Sequence, residues 1–243
     1  MANRILLGTL CLSLMGGFVW WRLYAVTRGA PPAQAAIVFD SSKSGTVGCA
    51  QAGAVAIRLS SAPHYSPKSR VALILLGDRS NGYAGRLAGV FDIPVSTRVM
   101  EGKEAQRRRQ NELAESVEKA CAAAPKADRS PILSAVESAF AHLRSAGCGS
   151  GTHCTLFLVT DGEENVNPDL RAALTGSKAA LKKTTGRIDN NGISVSICGL
   201  AQTRSASPER VTRSFTPEDR LRTVWTAVFT APNLVSTAPY CTD

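Results

Sequence analysis

The sequence predicts an α/β domain with a doubly wound, mostly parallel sheet, helices on both faces and one short antiparallel edge strand. Three observations lead there. Residues 36–39, 71–76, 155–160 and 193–198 read as buried strands, and the first three are apolar almost throughout, where a strand wetted on one face would alternate. Between these runs lie stretches whose apolar residues recur at helical spacing. Strand and helix alternate along the chain, which calls for right-handed crossovers and hence a parallel sheet. At 243 residues the chain has room for one sizeable core.

In chain order, residues 1–26 come first as a signal-anchor or transmembrane segment. Arg4 precedes an uncharged, mostly apolar stretch from Ile5 to Trp21, and Arg22 follows. These seventeen residues fall between the core of a signal peptide and a full membrane span. The best small-x-small cleavage site, Ala33-Gln34-Ala35, lies well beyond Trp21 and abuts the first strand, which favours an uncleaved anchor. Arginines on both sides leave the orientation open. Residues 27–35, with Pro31-Pro32, read as a stiff spacer. The domain is expected over residues 36–232, with an irregular tail over 233–243.

Within the domain, strand 36–39 runs into Asp40 and helix 50–59 follows. Strand 71–76 ends at Gly77-Asp78. Val90, Phe91, Ile93 and Val95 around Pro94 suggest an antiparallel edge strand over 89–97, where a proline is tolerated. Helices are expected over 104–123 and 131–146, the second with Ser130 as its N-cap. Strand 155–160 ends at Asp161-Gly162, a helix spans 168–183, and the last apolar strand covers 193–198. The final helix opens with Thr216 as cap, Pro217 in the first turn and Glu218 and Asp219 at the positive end. Leu221, Val224, Trp225 and Val228 form its apolar face, with Trp225 as core.

Net charge is +9, and Arg4, Arg22 and Arg28 account for three of these, leaving the part from Ala36 onward at +6. Arg107-Arg108-Arg109 and the stretch with Arg204, Arg210 and Arg213 read as solvated faces. No aromatic stacking pattern or nucleic-acid motif accompanies them, so nucleic acid is not an expected partner. Of seven cysteines, Cys11 lies in the apolar segment, leaving Cys49, Cys121, Cys148, Cys154, Cys198 and Cys241. An even set behind an export segment points to an oxidising compartment and up to three disulfides, among fifteen possible pairings. Cys148 and Cys154 bracket a Gly/Ser-rich loop and are the easiest pair to close, and Cys241 could tie the tail back to Cys198. Zinc on Cys148, His153 and Cys154 is disfavoured, since three ligands without a familiar spacing make no site.

The chemistry-bearing feature is oxygen. Asp40-Ser41-Ser42-Lys43-Ser44 places a carboxylate and two hydroxyls at alternate positions after the first strand, a spacing that lets one loop turn three oxygens inward. Ser130 opens a helix, and Asp161 follows the strand 155–160. Beyond the carboxyl ends of strands is where open α/β sheets bind ligands, and hard divalent cations take oxygen shells of this kind. In order and spacing this set resembles a von Willebrand factor A-type domain, over roughly residues 35–232. The resemblance implies a metal-ion-dependent adhesion site formed by Asp40, Ser42, Ser44, Ser130 and Asp161. Magnesium would be its first cation, with manganese or calcium as alternatives. Ser130 departs from the threonine usual in that family, keeping the hydroxyl but not the methyl that stiffens its rotamer.

The function so implied is a membrane-tethered, non-enzymatic binding module whose cation engages an Asp or Glu of a protein partner. Its domain would stand on the exported side, or be secreted if the apolar segment is cleaved. Glu163 and Glu164 are expected to solvate the loop after Asp161, and Asp78 is expected to be a neighbour of the site without holding the ion. One alternative is a metal-free envelope scaffold of the same fold. Another is a magnesium-dependent phosphohydrolase with Asp40 as nucleophile, but such enzymes usually place a second acid where Ser42 stands. Residues 147–151 lack the G-x-S-x-G register, His64, His142 and His153 show no pairing with a nucleophile, and Lys43-Ser44-Gly45-Thr46 lacks the upstream glycines of a P-loop.

Overall fold

The computed structural model describes residues 32–42, 48–61, 68–76, 85–94, 102–149, 152–200, 216–238 and 241. Six strands form one sheet: β1 (Gln34–Phe39), β2 (Arg70–Leu76), β3 (Gly85–Asp92), β4 (Cys154–Val159), β5 (Ile193–Cys198) and β6 (Val235–Ala238). Their order is β3-β2-β1-β4-β5-β6. All neighbours run parallel except β2 and β3. Among the described residues six helices flank the sheet: α1 (Cys49–Ser61), α2 (Lys103–Ala122), α3 (Ile132–Ser145), α4 (Pro168–Leu174), α5 (Lys178–Thr184) and α6 (Glu218–Ala227). This is the expected doubly wound α/β architecture with one antiparallel edge strand.

The continuous apolar runs are explained by cores on both faces. β1 sends Ala36 and Val38 to one side, where Ile74 and Leu158 join Leu133, Val136 and Phe140 of α3, Leu170 of α4 and Trp225 of α6. Its alternate residues, Ala35, Ile37 and Phe39, face Val55 and Leu59 of α1 and Leu113 and Val117 of α2. Because successive strand side chains point oppositely, both sets must be apolar, and alternation disappears from the sequence.

Several elements differ from expectation for identifiable reasons. The helix anticipated over 168–183 is two helices. α4 ends in a Schellman motif, with Ser177 N donating to Ala172 O (2.9 Å) and Gly176 N to Ala173 O (3.0 Å), and Gly176 has φ 109°. Ser177 then caps α5 by accepting from Ala180 N at 3.2 Å. The edge strand lies at Gly85–Asp92, so Pro94 falls just past its end. The tail expected to be irregular forms a 3₁₀ turn (Pro232–Leu234) and then β6, parallel to β5. The half-polar Val235-Ser236-Thr237-Ala238 carries no apolar run that would have announced it. α6 has Pro217 at its cap without a side-chain bond, and Thr216 is engaged elsewhere.

Three disulfides are present: Cys49–Cys121, Cys148–Cys154 and Cys198–Cys241. The first joins the start of α1 to the end of α2, the second closes the turn before β4, and the third ties the tail to the end of β5. With Cys148 and Cys154 joined, their thiolates are not zinc ligands. Among the described residues no helix is long and apolar enough to cross a membrane. The apolar stretch Ile5 to Trp21 lies outside the described residues, as do Asp78, His64, Arg204, Arg210 and Arg213.

Loop-closure entropy ranks these cross-links. Cys49–Cys121 spans a sequence separation of 72 and Cys148–Cys154 one of 6. Replacing the first pair by serines should cost about 4 kcal/mol of unfolding free energy, against about 2 kcal/mol for the second. Urea unfolding of both variants checks the order, and equal costs would contradict the entropic ranking.

Candidate functional site

The register of β1 with β4 sets the site. Gln34 lies opposite Cys154 and Phe39 opposite Val159, so the two strands finish level. Asp40 and Thr160-Asp161 therefore leave the sheet side by side at its carboxyl edge. In the order β3-β2-β1-β4-β5-β6 this is also where the winding reverses, the position at which open α/β sheets bind ligands.

Asp40 is buried and fully engaged. Its Oδ1 accepts from Ser42 N at 3.0 Å, and the Ser42 hydroxyl also bonds to this carboxylate. Its Oδ2 accepts from Thr160 Oγ1 at 3.0 Å. Thr160 Oγ1 in turn accepts from Gly162 N at 3.0 Å, so one hydroxyl links the loops after β1 and β4. Asp161 Oδ1 accepts from Glu163 N at 3.0 Å. Ser42 makes a parallel bridge with Ala127, which brings the segment leading to Ser130 alongside. Ser130, itself buried, donates its backbone N–H to Asn165 Oδ1 at 2.8 Å. The structure thus gathers Asp40, Ser42, Ser130 and Asp161 around one edge, while Ser44 lies outside the described residues.

Glu164 does not solvate the loop as expected. It is only 3% exposed. Its Oε2 accepts from Leu133 N at 2.8 Å, and its Oε1 accepts from Val166 N at 2.7 Å and Asn167 N at 3.1 Å. A carboxylate from the loop thereby does what Ser130 was expected to do at the start of α3, where Pro131 is the cap and makes no side-chain bond. Glu163 accepts from Thr216 N at 3.1 Å and from Thr216 Oγ1 at 3.3 Å, tying the same loop to α6. Gly162, at φ 86°, has no room for a side chain, since an added Cβ would sit 2.7 Å from Leu200 Cδ2. Its carbonyl accepts from Trp225 Nε1 at 2.9 Å, so Trp225 positions the loop as well as filling the core. Thr160, Glu164, Asn165 and Trp225 are the contributors that sequence reasoning missed. Only Asn165, in an Asn-x-Asn-Pro turn, carried a local signal.

The described residues leave the charge of the site uncompensated. Burial raises the Asp40 carboxyl above its ordinary range, more than its bonds to Ser42 and Thr160 lower it. Asp161 is pushed up to about 7, first by burial and then by the charge of Asp40. Burial likewise raises Glu164 against its three backbone donors. Among the described residues no basic side chain relieves any of the three. Two desolvated, mutually repelling carboxyls with hydroxyls beside them suit a hard divalent cation, and among the described residues a soft metal would find no thiolate or imidazole there. Among the described residues no three His, Cys, Asp or Glu side chains converge as a metal cage, so the hydroxyls would have to complete the donor set.

No family model matches the chain, and no curated protein matches it in sequence. Solved structures do resemble it in fold. The pilus adhesin SpaC from Lactobacillus rhamnosus GG aligns at 13% identity and TM-score 0.47, covering 87% of this chain and 28% of that one. The manganese-loaded TRAP protein of Plasmodium vivax aligns at 13% identity and TM-score 0.44, covering 86% and 69%. A von Willebrand factor type A protein from Catenulispora acidiphila aligns at 13% identity and TM-score 0.43, covering 87% and 40%. The chain thus spans little more than a quarter of the adhesin's length.

Two outcomes follow from this geometry. Glu164→Ala leaves three backbone N–H groups without their acceptor and should cost about 3 kcal/mol in urea unfolding. The second concerns pH. Folding raises Asp161 from 3.8 to about 7, so the folded state binds the proton more tightly. That stabilisation is complete below the unfolded value and is lost as pH rises through about 7. In a chelator, the melting temperature should fall between about pH 4 and pH 7, and Asp161→Asn should flatten the fall. A wild type and variant with parallel pH profiles would contradict the assignment.

Proposed function

We propose that this protein is a membrane-tethered, non-enzymatic binding module that holds a divalent cation through Asp40, Ser42, Ser44, Ser130 and Asp161 and presents it to an acidic side chain of a protein partner. One observation carries the reading: two buried carboxyls from adjacent parallel strands stand at the winding reversal, and among the described residues no base neutralises them. When bound, the cation would supply positive charge that exceeds what neutral hydroxyls and partly protonated carboxyls offset. Ser42 and Thr160 hold Asp40 in one orientation, while Trp225 and Glu163 fix the loop that carries Asp161.

The same contacts disfavour the phosphohydrolase. Both oxygens of Asp40 accept hydrogen bonds and the group is 2% exposed, which makes it a poor nucleophile. Ser42, at the position of the second acid, spends its backbone N–H on Asp40. Tethering is supported by the apolar stretch Ile5 to Trp21, and export by the three disulfides. The metal-free scaffold remains the second reading, because a carboxyl titrating at about 7 can relieve the repulsion with a proton instead of a cation.

Calorimetric titration of magnesium, manganese and calcium into the detergent-solubilised full chain tests this. Saturable binding should be lost in an Asp40→Ala, Asp161→Ala variant that remains folded, and the wild-type affinity should weaken as pH drops below about 7. A folded wild type that binds none of the three ions would favour the scaffold.

A further inference from the structure

The edge of the sheet opposite the site has its own character. The described chain enters there: Ala33 N donates to Ser69 Oγ at 3.0 Å, and Arg70 N donates to Ala33 O at 3.1 Å, beside the amino ends of β1 and β2. α1 descends to this edge and α2 climbs from it, since the Cys49–Cys121 disulfide joins them at one end and Gln110 Nε2 meets Ser61 Oγ at 3.2 Å at the other. α2 begins seven residues before Gln110. At 1.5 Å per residue its first two turns overhang the end of α1 by roughly 10 Å. That overhang exposes Lys103, Arg107 and Arg108, and Arg58 and Lys68 are exposed at the same edge. Glu104 is the acidic residue among them, and Arg70 there pairs with Asp92 at 3.3 Å.

Resting on the tethering proposed above, we infer that this basic edge docks on the anionic headgroups of the bilayer that holds the Ile5 to Trp21 stretch. Two observations select a lipid surface over other polyanions. The described chain begins at residue 32 on this edge, so the tether proposed above would bring this edge to the bilayer, and the charges lie on the overhanging turns instead of in a groove shaped for a strand. Cationic side chains near an anionic leaflet are drawn to it within about a Debye length, so the attraction is screened by salt. Docked in this way, the domain turns the carboxyl edge with Asp40 and Asp161 away from the bilayer toward an approaching partner.

The test uses the full chain in nanodiscs of phosphatidylcholine, alone or with about one third phosphatidylglycerol. An arginine-selective dicarbonyl reagent is applied, and its rate at each site is read by mass spectrometry. Arg107 and Arg108 should react at least about fivefold more slowly in the anionic discs, with the difference removed by roughly 0.5 M salt. Arg171, exposed on α4 near the opposite edge, should not change. In an R107E/R108E variant, Arg58 should regain its rate. Equal rates in both lipids, or equal slowing at Arg171, would overturn the docking while leaving the tether intact. A chain that fails to enter the discs would remove the tether and the docking together. Protection by added DNA in phosphatidylcholine discs, without protection by anionic lipid, would reassign the edge to nucleic acid.

Discussion

Two carboxyls kept out of water at the ends of neighbouring strands are the constraint around which the loops of this protein are arranged. Each would be more stable apart from the other and in solvent, yet the β1–β4 register holds them together. Such an arrangement costs stability unless a proton or a cation relieves it. The surrounding contacts all act in one sense. Ser42 and Thr160 donate to Asp40, Glu163 N donates to Asp161, and none of these donors is charged. These contacts orient the site without neutralising it, which is the condition for it to retain an appetite for positive charge.

The loop after β4 carries the mechanical load. Between Gly162 and Asn167 it is fastened to α6 through Trp225 and Thr216, to the start of α3 through Glu164 and Asn165, and to α4 through the Asn167 cap. One short segment thus sets the relative positions of three helices and both carboxyl-bearing loops. Rigidity here comes from polar side chains that bond backbone N–H groups, because a loop cannot be held by apolar packing alone.

The fold was legible where physics writes into local pattern. Buried parallel strands produce unbroken apolar runs, and the aspartates after β1 and β4 were readable because each follows such a run. The short β6 was invisible, since Val235-Ser236-Thr237-Ala238, half polar and only four residues long, looks like any tail. The break between α4 and α5 was written in Gly176-Ser177 but was outweighed by the continuing helical spacing of the flanking residues. Glu164 was misread for a deeper reason. Its partners, Leu133, Val166 and Asn167, are backbone groups, so no residue type elsewhere in the chain points to it. Thr160 was passed over because a strand-end threonine carries the same local signal whether it ends a strand or aims at a carboxylate 120 residues away.

That separation also has a bearing on how the molecule comes to exist. β1 can pair with β2 as soon as residue 76 has been made, but its other edge waits for residues 154–159. Closing so long a loop is slow, and an apolar parallel strand with an open edge is a template for wrong partners in the interval. The nascent chain must therefore spend a long stretch of its synthesis with the central strand of its sheet half-dressed. A chaperone that shields this one edge would govern the yield of the whole domain.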